Sequence, residues 1–245
     1  EGLTLAGILL LGTDELISAA LPAFRIDLIK RVDNVDRYDD RVDLRTNLID
    51  SYEEIMKFIA KHLPDPFYLE NEQRISLRES IFREIVANIL VHKEYLGAEP
   101  TRLIIEKDKI FTENSNRPYI NGIINLGNLQ PHPKNPNIAK FFRQLGRVEE
   151  LGSGVRKLYK YCKTYTGNDP CISDGNIFKF NLSFNFFLNG KQVSEQVSEQ
   201  VSEQVSEQVK NFEELVIKFC SKPRSLLEIM DFLKYKNRGY FKKNV

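Results

Sequence analysis

Residues 193–208 repeat the tetrapeptide Val-Ser-Glu-Gln four times, and this repeat limits how the rest of the chain can fold. On a helix, a strict period of four shifts each valine by about 40° from the one before, so the valines do not line one face. Valine and serine are also modest helix formers. We interpret 191–209 as a solvated helical linker between two separately folded parts, 1–190 and 210–245. The alternative is a period-four oligomerisation helix.

The charge of the chain is unevenly distributed between these two parts. The 245 residues contain 35 Lys/Arg and 34 Asp/Glu, which is a net charge of +1. Residues 210–245 alone carry nine Lys/Arg against four Asp/Glu. The body before them is therefore mildly acidic, and the basic end predicts a nucleic-acid partner.

The sparse cysteines and the short apolar run indicate the cellular compartment of the protein. Cys162, Cys171 and Cys220 form no C-x-x-C pair and have no metal-ligand spacing, which is typical of buried thiols in a reducing compartment. The apolar run Leu3–Leu11 is shorter than the roughly 20 residues that cross a bilayer, and it has no basic leader. We expect a cytoplasmic protein without a membrane partner. Because the chain opens at Glu1 and not at Met, we also expect a domain before it.

Hydrophobic periodicity predicts an α+β fold for residues 1–190. Residues 3–12 are apolar and fit either a buried helix or a buried strand. The predicted helices are Asn47–His62, Ser76–His92, Pro136–Gly146 and Gly154–Tyr165. The predicted strands are Phe24–Leu28, Arg102–Glu106, Lys109–Thr112, Cys171–Ser173 and Asn176–Phe184. The segment Glu113–Asn135 is rich in Asn, Gly and Pro and is predicted as a loop. We expect helices packed on one face of a mixed, mostly antiparallel sheet.

The helix predicted at Ser76–His92 carries three polar residues on one side. Glu84, Asn88 and His92 are spaced at i, i+4 and i+8, so they project from consecutive turns. An asparagine oxygen is a ligand for Mg²⁺, a glutamate one turn earlier can act as a general base, and a histidine can contact phosphate. The alternative is a polar helix face in which His92 is stabilised by the helix C-terminus.

The segment Arg83–Tyr95 resembles the R-E-x-x-x-N-x-x-x-H-R-D-Y signature of the bacterial RecG-like transcriptional regulators, with Lys93 and Glu94 as conservative replacements. The resemblance covers roughly residues 1–190 and continues in three further pieces: Asn135-Pro136-x-Ile138, Leu145-Gly146-x-Val148-Glu149 and Gly152-Ser-Gly154-Val155. The body of these regulators is a variant of the GHKL ATPase fold. An Alba-like or Schlafen-like domain usually precedes it.

The resemblance implies roles for individual residues. Glu84 would be the general base and Asn88 the Mg²⁺ ligand, with His92 near phosphate. Backbone N–H groups at Gly152 and Gly154 would approach the phosphates of ATP. The alternative is that this glycine pair before a helix serves packing alone. The sequence departs from the family at Asn116–Tyr119, where relatives read Asn-Pro-Gly-Gly. The Asp-x-Gly-x-Gly of GHKL enzymes, whose Asp reads the adenine amino group, has no counterpart there. We therefore predict a degenerate nucleotide-binding domain. A P-loop helicase motor is excluded because no G-x-x-x-x-G-K-[ST] motif occurs in the chain.

The sequence pattern of residues 210–245 predicts a truncated winged helix-turn-helix. Asn211–Ser221 has helical spacing, Ser225–Glu228 is a capping box that opens a second helix, and Arg238–Val245 follows a short connection. This part resembles the winged-helix tail of the same family and stops where a wing should begin. We predict DNA contacts from the basic residues and one tyrosine of this part, namely Lys234, Lys236, Arg238, Tyr240, Lys242 and Lys243. Among them, Arg238, Tyr240 and Lys242 are the candidates for reaching bases. The alternative is a three-helix bundle with a solvated basic face.

These features together predict a DNA-binding transcriptional regulator whose degenerate GHKL-like body senses a nucleotide, another ligand or a partner. One alternative is a Mg²⁺-dependent ATP hydrolase that uses Glu84 and Asn88. Another is a body that serves only as a scaffold for homo-oligomerisation. The missing adenine-reading Asp favours the regulator and the scaffold over the hydrolase.

Overall fold

The computed structural model describes residues 2–34, 36–127, 133–147 and 153–186. The chain divides into two units, Glu1–Glu195 and Gln196–Val245, and every described residue belongs to the first. The linker predicted at 191–209 and the helix-turn-helix predicted at 210–245 therefore lie outside the described residues.

The described residues form six helices and nine strands. The helices are α1 (Leu5–Leu11), α2 (Asp14–Ala20), α3 (Leu48–His62), α4 (Leu77–Val91), α5 (Pro136–Gln144) and α6 (Ser153–Thr166). The strands are β1 (Ile26–Arg31), β2 (Asp40–Leu44), β3 (Leu69–Glu70), β4 (Gln73–Arg74), β5 (Thr101–Glu106), β6 (Lys109–Ser115), β7 (Gly122–Ile124), β8 (Cys171–Asp174) and β9 (Ile177–Ser183).

Seven of these strands form one sheet in the order β2-β1-β5-β6-β9-β8-β7. Strands β1 and β5 run parallel, with Leu28 opposite Leu103, and the other neighbouring strands are antiparallel. The parallel pair needs a long crossover, and α3 and α4 lie within it. Strands β3 and β4 form a separate two-stranded hairpin within the same crossover.

At strands β6 and β9 the sheet has one buried face. Along β6 the residues alternate, with Ile110, Thr112 and Asn114 buried and their neighbours half-buried, and in β9 Phe180 and Leu182 are buried between exposed residues. The buried side chains of sheet and helices join in a single core cluster. The expectation of an α+β fold with a mostly antiparallel sheet is confirmed. In the described part of the chain, no helix combines the length and apolarity that crossing a bilayer requires.

The four predicted helices are present, and side chains cap two of them as helix physics predicts. The Asn47 side chain accepts hydrogen bonds from the N–H groups of Ile49 and Asp50 at the start of α3, and the Ser76 hydroxyl accepts one from Glu79 at the start of α4. Pro136 occupies the first turn of α5, where its missing N–H costs nothing.

The prediction of a loop over Glu113–Asn135 is wrong at two places. Strand β6 continues to Ser115, and β7 pairs with β8 at the edge of the sheet. The polar composition that predicted a loop is accommodated in β6 because both amide atoms of the buried Asn114 make hydrogen bonds. It accepts from the Thr101 hydroxyl (2.7 Å) and donates to the carbonyl of Ile89 (2.8 Å).

Other differences arise where local patterns are short. Helix α2, strand β2 and the β3–β4 hairpin have two to seven residues each and were not predicted. Strand β1 begins at Ile26, and its first four residues are buried, so both faces of the sheet are covered at this strand; the Asp27 carboxylate is paired there with Arg41 at 2.8 Å. Cys162 is buried as expected, whereas Cys171 is exposed.

The C-terminal end of α4 lies inside the protein, and each of its last carbonyls has its own donor. The carbonyl of Asn88 accepts from the N–H of His92 at 3.0 Å. Three side chains satisfy the next three carbonyls: Asn114 donates to Ile89 (2.8 Å), the Tyr95 hydroxyl to Leu90 (2.6 Å) and Asn135 to Val91 (2.9 Å). Asn135 also donates to the carbonyl of Lys93 at 2.8 Å. These bonds replace the water that ordinarily solvates a helix end.

We predict that Tyr95→Phe lowers the free energy of unfolding by about 1–3 kcal/mol, because the carbonyl of Leu90 is then buried without a donor. The matched control is Tyr38→Phe, at a tyrosine that is 53 % exposed, which we expect to change stability by no more than about 0.5 kcal/mol. Urea unfolding of both variants measures the difference. Equal midpoints for the two variants would contradict the proposed role of the hydroxyl.

Candidate functional site

Helix α4 carries the predicted site residues and is packed between α3 and α6. Nine of its fifteen residues are buried, and Glu84, Asn88 and His92 are half-buried on the remaining side. Since the helix is held on several sides, its polar residues have defined positions relative to their neighbours.

The structure brings Glu84 and Asn88 together as the i, i+4 spacing predicts. The amide nitrogen of Asn88 donates to Glu84 Oε1 at 3.1 Å. A carboxylate can only accept from the amide, so the amide nitrogen must face Glu84. The carbonyl oxygen of Asn88, which is the atom that Mg²⁺ would take, makes no hydrogen bond within the described residues.

Gly154, in the first turn of α6, lies directly against the Glu84 carboxylate. A Cβ atom placed on Gly154 would lie 2.4 Å from the Glu84 Cδ and from both of its carboxylate oxygens. A side chain at this position would displace the Glu84 carboxylate, so the close approach depends on the missing Cβ of Gly154. The contact also places a negative charge at the N-terminus of a helix, where the helix dipole stabilises it. The sequence analysis predicted a phosphate beside Gly154. In the structure, the negatively charged carboxylate of Glu84 lies next to that position.

The remaining predicted residues lie at the edge of this site or outside the described residues. His92 is the C-cap of α4, one turn beyond Asn88 on the same side. Gly152 is outside the described residues. So are the predicted DNA-contacting residues Lys234, Lys236, Arg238, Tyr240, Lys242 and Lys243.

A second polar cluster, which the sequence analysis did not predict, surrounds Asp174 at the end of β8. One carboxylate oxygen accepts from the backbone N–H groups of Tyr119 and Ile120, each at 2.7 Å, and the other accepts from Asn116 at 2.6 Å. The Lys134 ammonium is 3.9 Å from the same carboxylate. Burial alone would raise the pKa of Asp174. The hydrogen bonds and the charge of Lys134 lower the pKa by more than burial raises it, so the pKa lies below its ordinary value.

Two buried polar atoms of this cluster have no hydrogen-bond partner within the described part of the chain. They are the carbonyl oxygen of Asn116, a residue that is 7 % exposed, and the ammonium nitrogen of Lys134. One is an acceptor and the other a donor. Burial lowers the pKa of Lys134, while Asp174 and Glu94 oppose this shift. Buried polar atoms in native proteins usually have a partner, so the cluster is suited to a ligand or ordered water.

Lys93, which follows the helix, is almost completely buried. Its ammonium donates to the carbonyl of Glu99 at 2.9 Å, which closes the loop that leads to β5. Burial lowers the pKa of Lys93 to about 8, against the carboxylates of Glu94 and Glu99, which act to raise it.

Carboxylates and imidazoles do not assemble into a metal site among the residues that the structure describes, since no three His, Cys, Asp or Glu side chains converge there. The Asn88 oxygen together with the phosphates of a bound nucleotide is a donor set that Mg²⁺ accepts, because this ion commonly uses one or two protein ligands. If Mg²⁺ accompanied a nucleotide here, the Asn88 oxygen would be its ligand from α4, as the sequence predicts.

Comparison with known proteins shows the fold class. No family model and no curated protein sequence matches the chain. Among solved structures, the crystal structure of the DIP2311 protein from Corynebacterium diphtheriae is similar, with a TM-score of 0.58 and 19 % sequence identity. The similarity covers 74 % of this chain and 37 % of that one, so this chain spans little more than a third of its neighbour's length. At this level of identity, the likeness supports the α+β architecture alone.

We predict that the effect of Gly154→Ala changes sign with the residue at position 84. In the native background the new methyl group displaces the Glu84 carboxylate from the first turn of α6, at a cost of about 0.3–2 kcal/mol. In a Glu84→Ala background the space is open, and alanine is the better helix former by up to about 1 kcal/mol. Chemical denaturation of the four proteins of this double-mutant cycle measures the coupling. Equal effects of Gly154→Ala in both backgrounds would show that the contact contributes nothing.

Proposed function

We propose that the chain is a bacterial, cytoplasmic, DNA-binding transcriptional regulator. Its residues 1–190 would form a degenerate, GHKL-like nucleotide-sensing body, and residues 210–245 would bind DNA. The proposal draws on the layered α+β architecture, on the Arg83–Tyr95 motif carried by α4, and on the basic composition of the tail.

The observation that carries this proposal is the contact between Glu84 and the first turn of α6. A general base must lie within hydrogen-bond reach of the water that it activates. Here the carboxylate accepts from Asn88 and lies against Gly154 on its other side. A carboxylate with these neighbours stabilises the packing of α4 against α6. This arrangement favours ligand sensing over ATP hydrolysis.

The Asp174 cluster supports a ligand in the same body. Two of its buried atoms make no hydrogen bond within the described residues: the Asn116 oxygen, which is an acceptor, and the Lys134 ammonium, which is a donor and forms an ion pair with Asp174. An adenine base carries both kinds of group on one edge. In this proposal the Asn116 oxygen takes the place of the absent aspartate, and Asn88 holds the Mg²⁺ that accompanies ATP.

We expect Mg-ATP to raise the unfolding temperature of the purified chain. A ligand at about 100 times its Kd stabilises the folded state by about 2.7 kcal/mol. Asn88→Ala should abolish the rise, whereas Asn181→Ala, at an exposed position of β9, should keep it. An unchanged unfolding temperature at millimolar ATP would contradict nucleotide sensing and favour the scaffold for homo-oligomerisation.

Phosphate release from ATP separates the regulator from the hydrolase. If Glu84 were the general base, Glu84→Gln would slow hydrolysis by roughly 10²–10⁴-fold. We expect no difference between the native chain and this variant in an assay of inorganic phosphate. A loss of that size would support the hydrolase instead.

For the tail, we predict binding to duplex DNA that weakens as salt rises. Each neutralised phosphate contributes about −0.9 to the slope of log K against log salt. Replacing Lys242 and Lys243 by Gln should therefore reduce the slope by about 1.8. Lys57→Gln, at an exposed position on α3, is the matched control and should leave the slope unchanged. Affinity that is independent of salt would contradict phosphate contacts by the tail.

A further inference from the structure

The hydroxyl of Tyr52 is buried, and its proton has no acceptor among the described residues. Tyr52 lies on α3 and is 1 % exposed, with the edge of the Phe142 ring against it at a centroid distance of 5.9 Å. A buried tyrosine normally pairs its hydroxyl, because an unpaired polar group in the interior costs free energy. The hydroxyl is therefore a donor for which the described chain supplies no acceptor.

Two guanidinium groups lie next to this tyrosine. Arg147 places its Cζ atom 4.8 Å from the centre of the Tyr52 ring. Arg83, from α4, donates to the carbonyl of Gly146, the residue before Arg147, at 2.5 Å. Burial raises the pKa of the Tyr52 hydroxyl, and the positive charges of Arg83 and Arg147, with hydrogen bonding from both guanidinium groups to the hydroxyl oxygen, oppose this rise. The hydroxyl thus stays protonated at neutral pH and faces two permanent cations.

Both guanidinium groups have more N–H donors than their contacts with described residues use. Each guanidinium carries five N–H donors. Arg147 pairs with Glu53 on α3, and Arg83 forms no ion pair with any described residue. Counted over the described side chains alone, Arg83, Arg147 and Glu53 carry a net charge of +1 beside a buried hydroxyl. The Arg147 side chain is 39 % exposed, which keeps this side of the cluster accessible from solvent.

The backbone that carries Arg147 is held by the cap of α5. Gly146 has a φ of +67°, its N–H donates to the carbonyl of Arg143 at 2.9 Å, and the N–H of Arg147 donates to Phe142 at 2.9 Å. This pair of bonds is a Schellman motif, the common glycine-dependent end of a helix. Because the cap fixes the backbone, Arg147 is presented to Tyr52 before any ligand binds, which lowers the entropy cost of binding.

From this convergence we infer that Tyr52, Arg83 and Arg147 form a binding site for a small oxyanion of the phosphate class. Guanidinium groups bind phosphate oxygens through paired N–H donors, and the tyrosine hydroxyl supplies a further neutral donor. The site does not depend on the proposed nucleotide function, since none of its three side chains belongs to the Glu84–Asn88 pair.

The experiment is thermal unfolding of the full chain in sodium phosphate, compared with sodium chloride at equal ionic strength. We expect a saturable rise of about 3 °C when phosphate is roughly tenfold above its Kd. Tyr52→Phe and Arg147→Gln should lose the saturable part, whereas Arg143→Gln, at an exposed position in the last turn of α5, should keep it. Tyr52→Phe removes a hydroxyl whose proton has no acceptor among the described residues, so without phosphate this variant should differ little in stability from the native chain.

The outcomes separate this site from general salt effects and from the nucleotide site. Phosphate stabilises many proteins by exclusion from their surface, and such a rise would be unsaturable and equal in all variants. That result, or the absence of any rise in the native chain, overturns the inference. A saturable rise that survives Asn88→Ala but not Arg147→Gln supports an anion site distinct from the proposed nucleotide site. Repeating the titration with ADP and with adenosine distinguishes a nucleotide phosphate from free phosphate, because adenosine lacks the phosphate group.

Discussion

The need to satisfy the last carbonyls of α4 is the constraint on which much of the fold depends. This helix ends in the interior, without a glycine cap and away from water, and each unpaired carbonyl would cost about 1–3 kcal/mol. The donors come from three different segments, through Tyr95, Asn114 and Asn135. The hydrogen bonds to the last carbonyls of α4 therefore fix three segments relative to the axis of this helix. These segments are the turn after α4, strand β6 and the start of α5.

An anchored α4 presents two polar neighbourhoods on different sides. Towards α6 it presents Glu84 and Asn88, which meet the backbone at Gly154. Towards the end of α5 it presents Arg83, beside Arg147 and Tyr52. The first neighbourhood contains a carboxylate and an amide, whereas the second contains two guanidinium groups and a hydroxyl without an acceptor among the described residues. The two differ in what they can still bind, although adjacent residues of one helix contribute to both.

The sequence predicts the elements of this fold better than the contacts between them. Helices α3 and α4 have strong apolar periodicity and side-chain caps, and the Glu84–Asn88 bond follows from the geometry of one helix. The contacts of Asn135 with α4 and of Asn116 with Asp174 join residues 44 and 58 positions apart, and no local pattern encodes such distances. The extension of β6 was missed for a related reason, because Asn114 is compatible with a buried strand only when α4 and β5 supply its partners. The sequence predicted a phosphate beside Gly154, but it could not show that the Glu84 carboxylate, 70 positions earlier, lies against that glycine.

The order of the chain gives the α4 cap a consequence for biosynthesis. All three donor side chains follow the helix in sequence, and Asn135 is made 44 residues after Val91. At about 5–20 residues per second, a ribosome adds those residues in roughly 2–9 s. During that interval the carbonyl of Val91 at the end of α4 has no side-chain donor from Asn135. The apolar residues of α4 that pack against α6 are also uncovered, because α6 is translated later. Because the donor to Val91 comes from Asn135, the last turn of α4 is completed only after the start of α5 has been made.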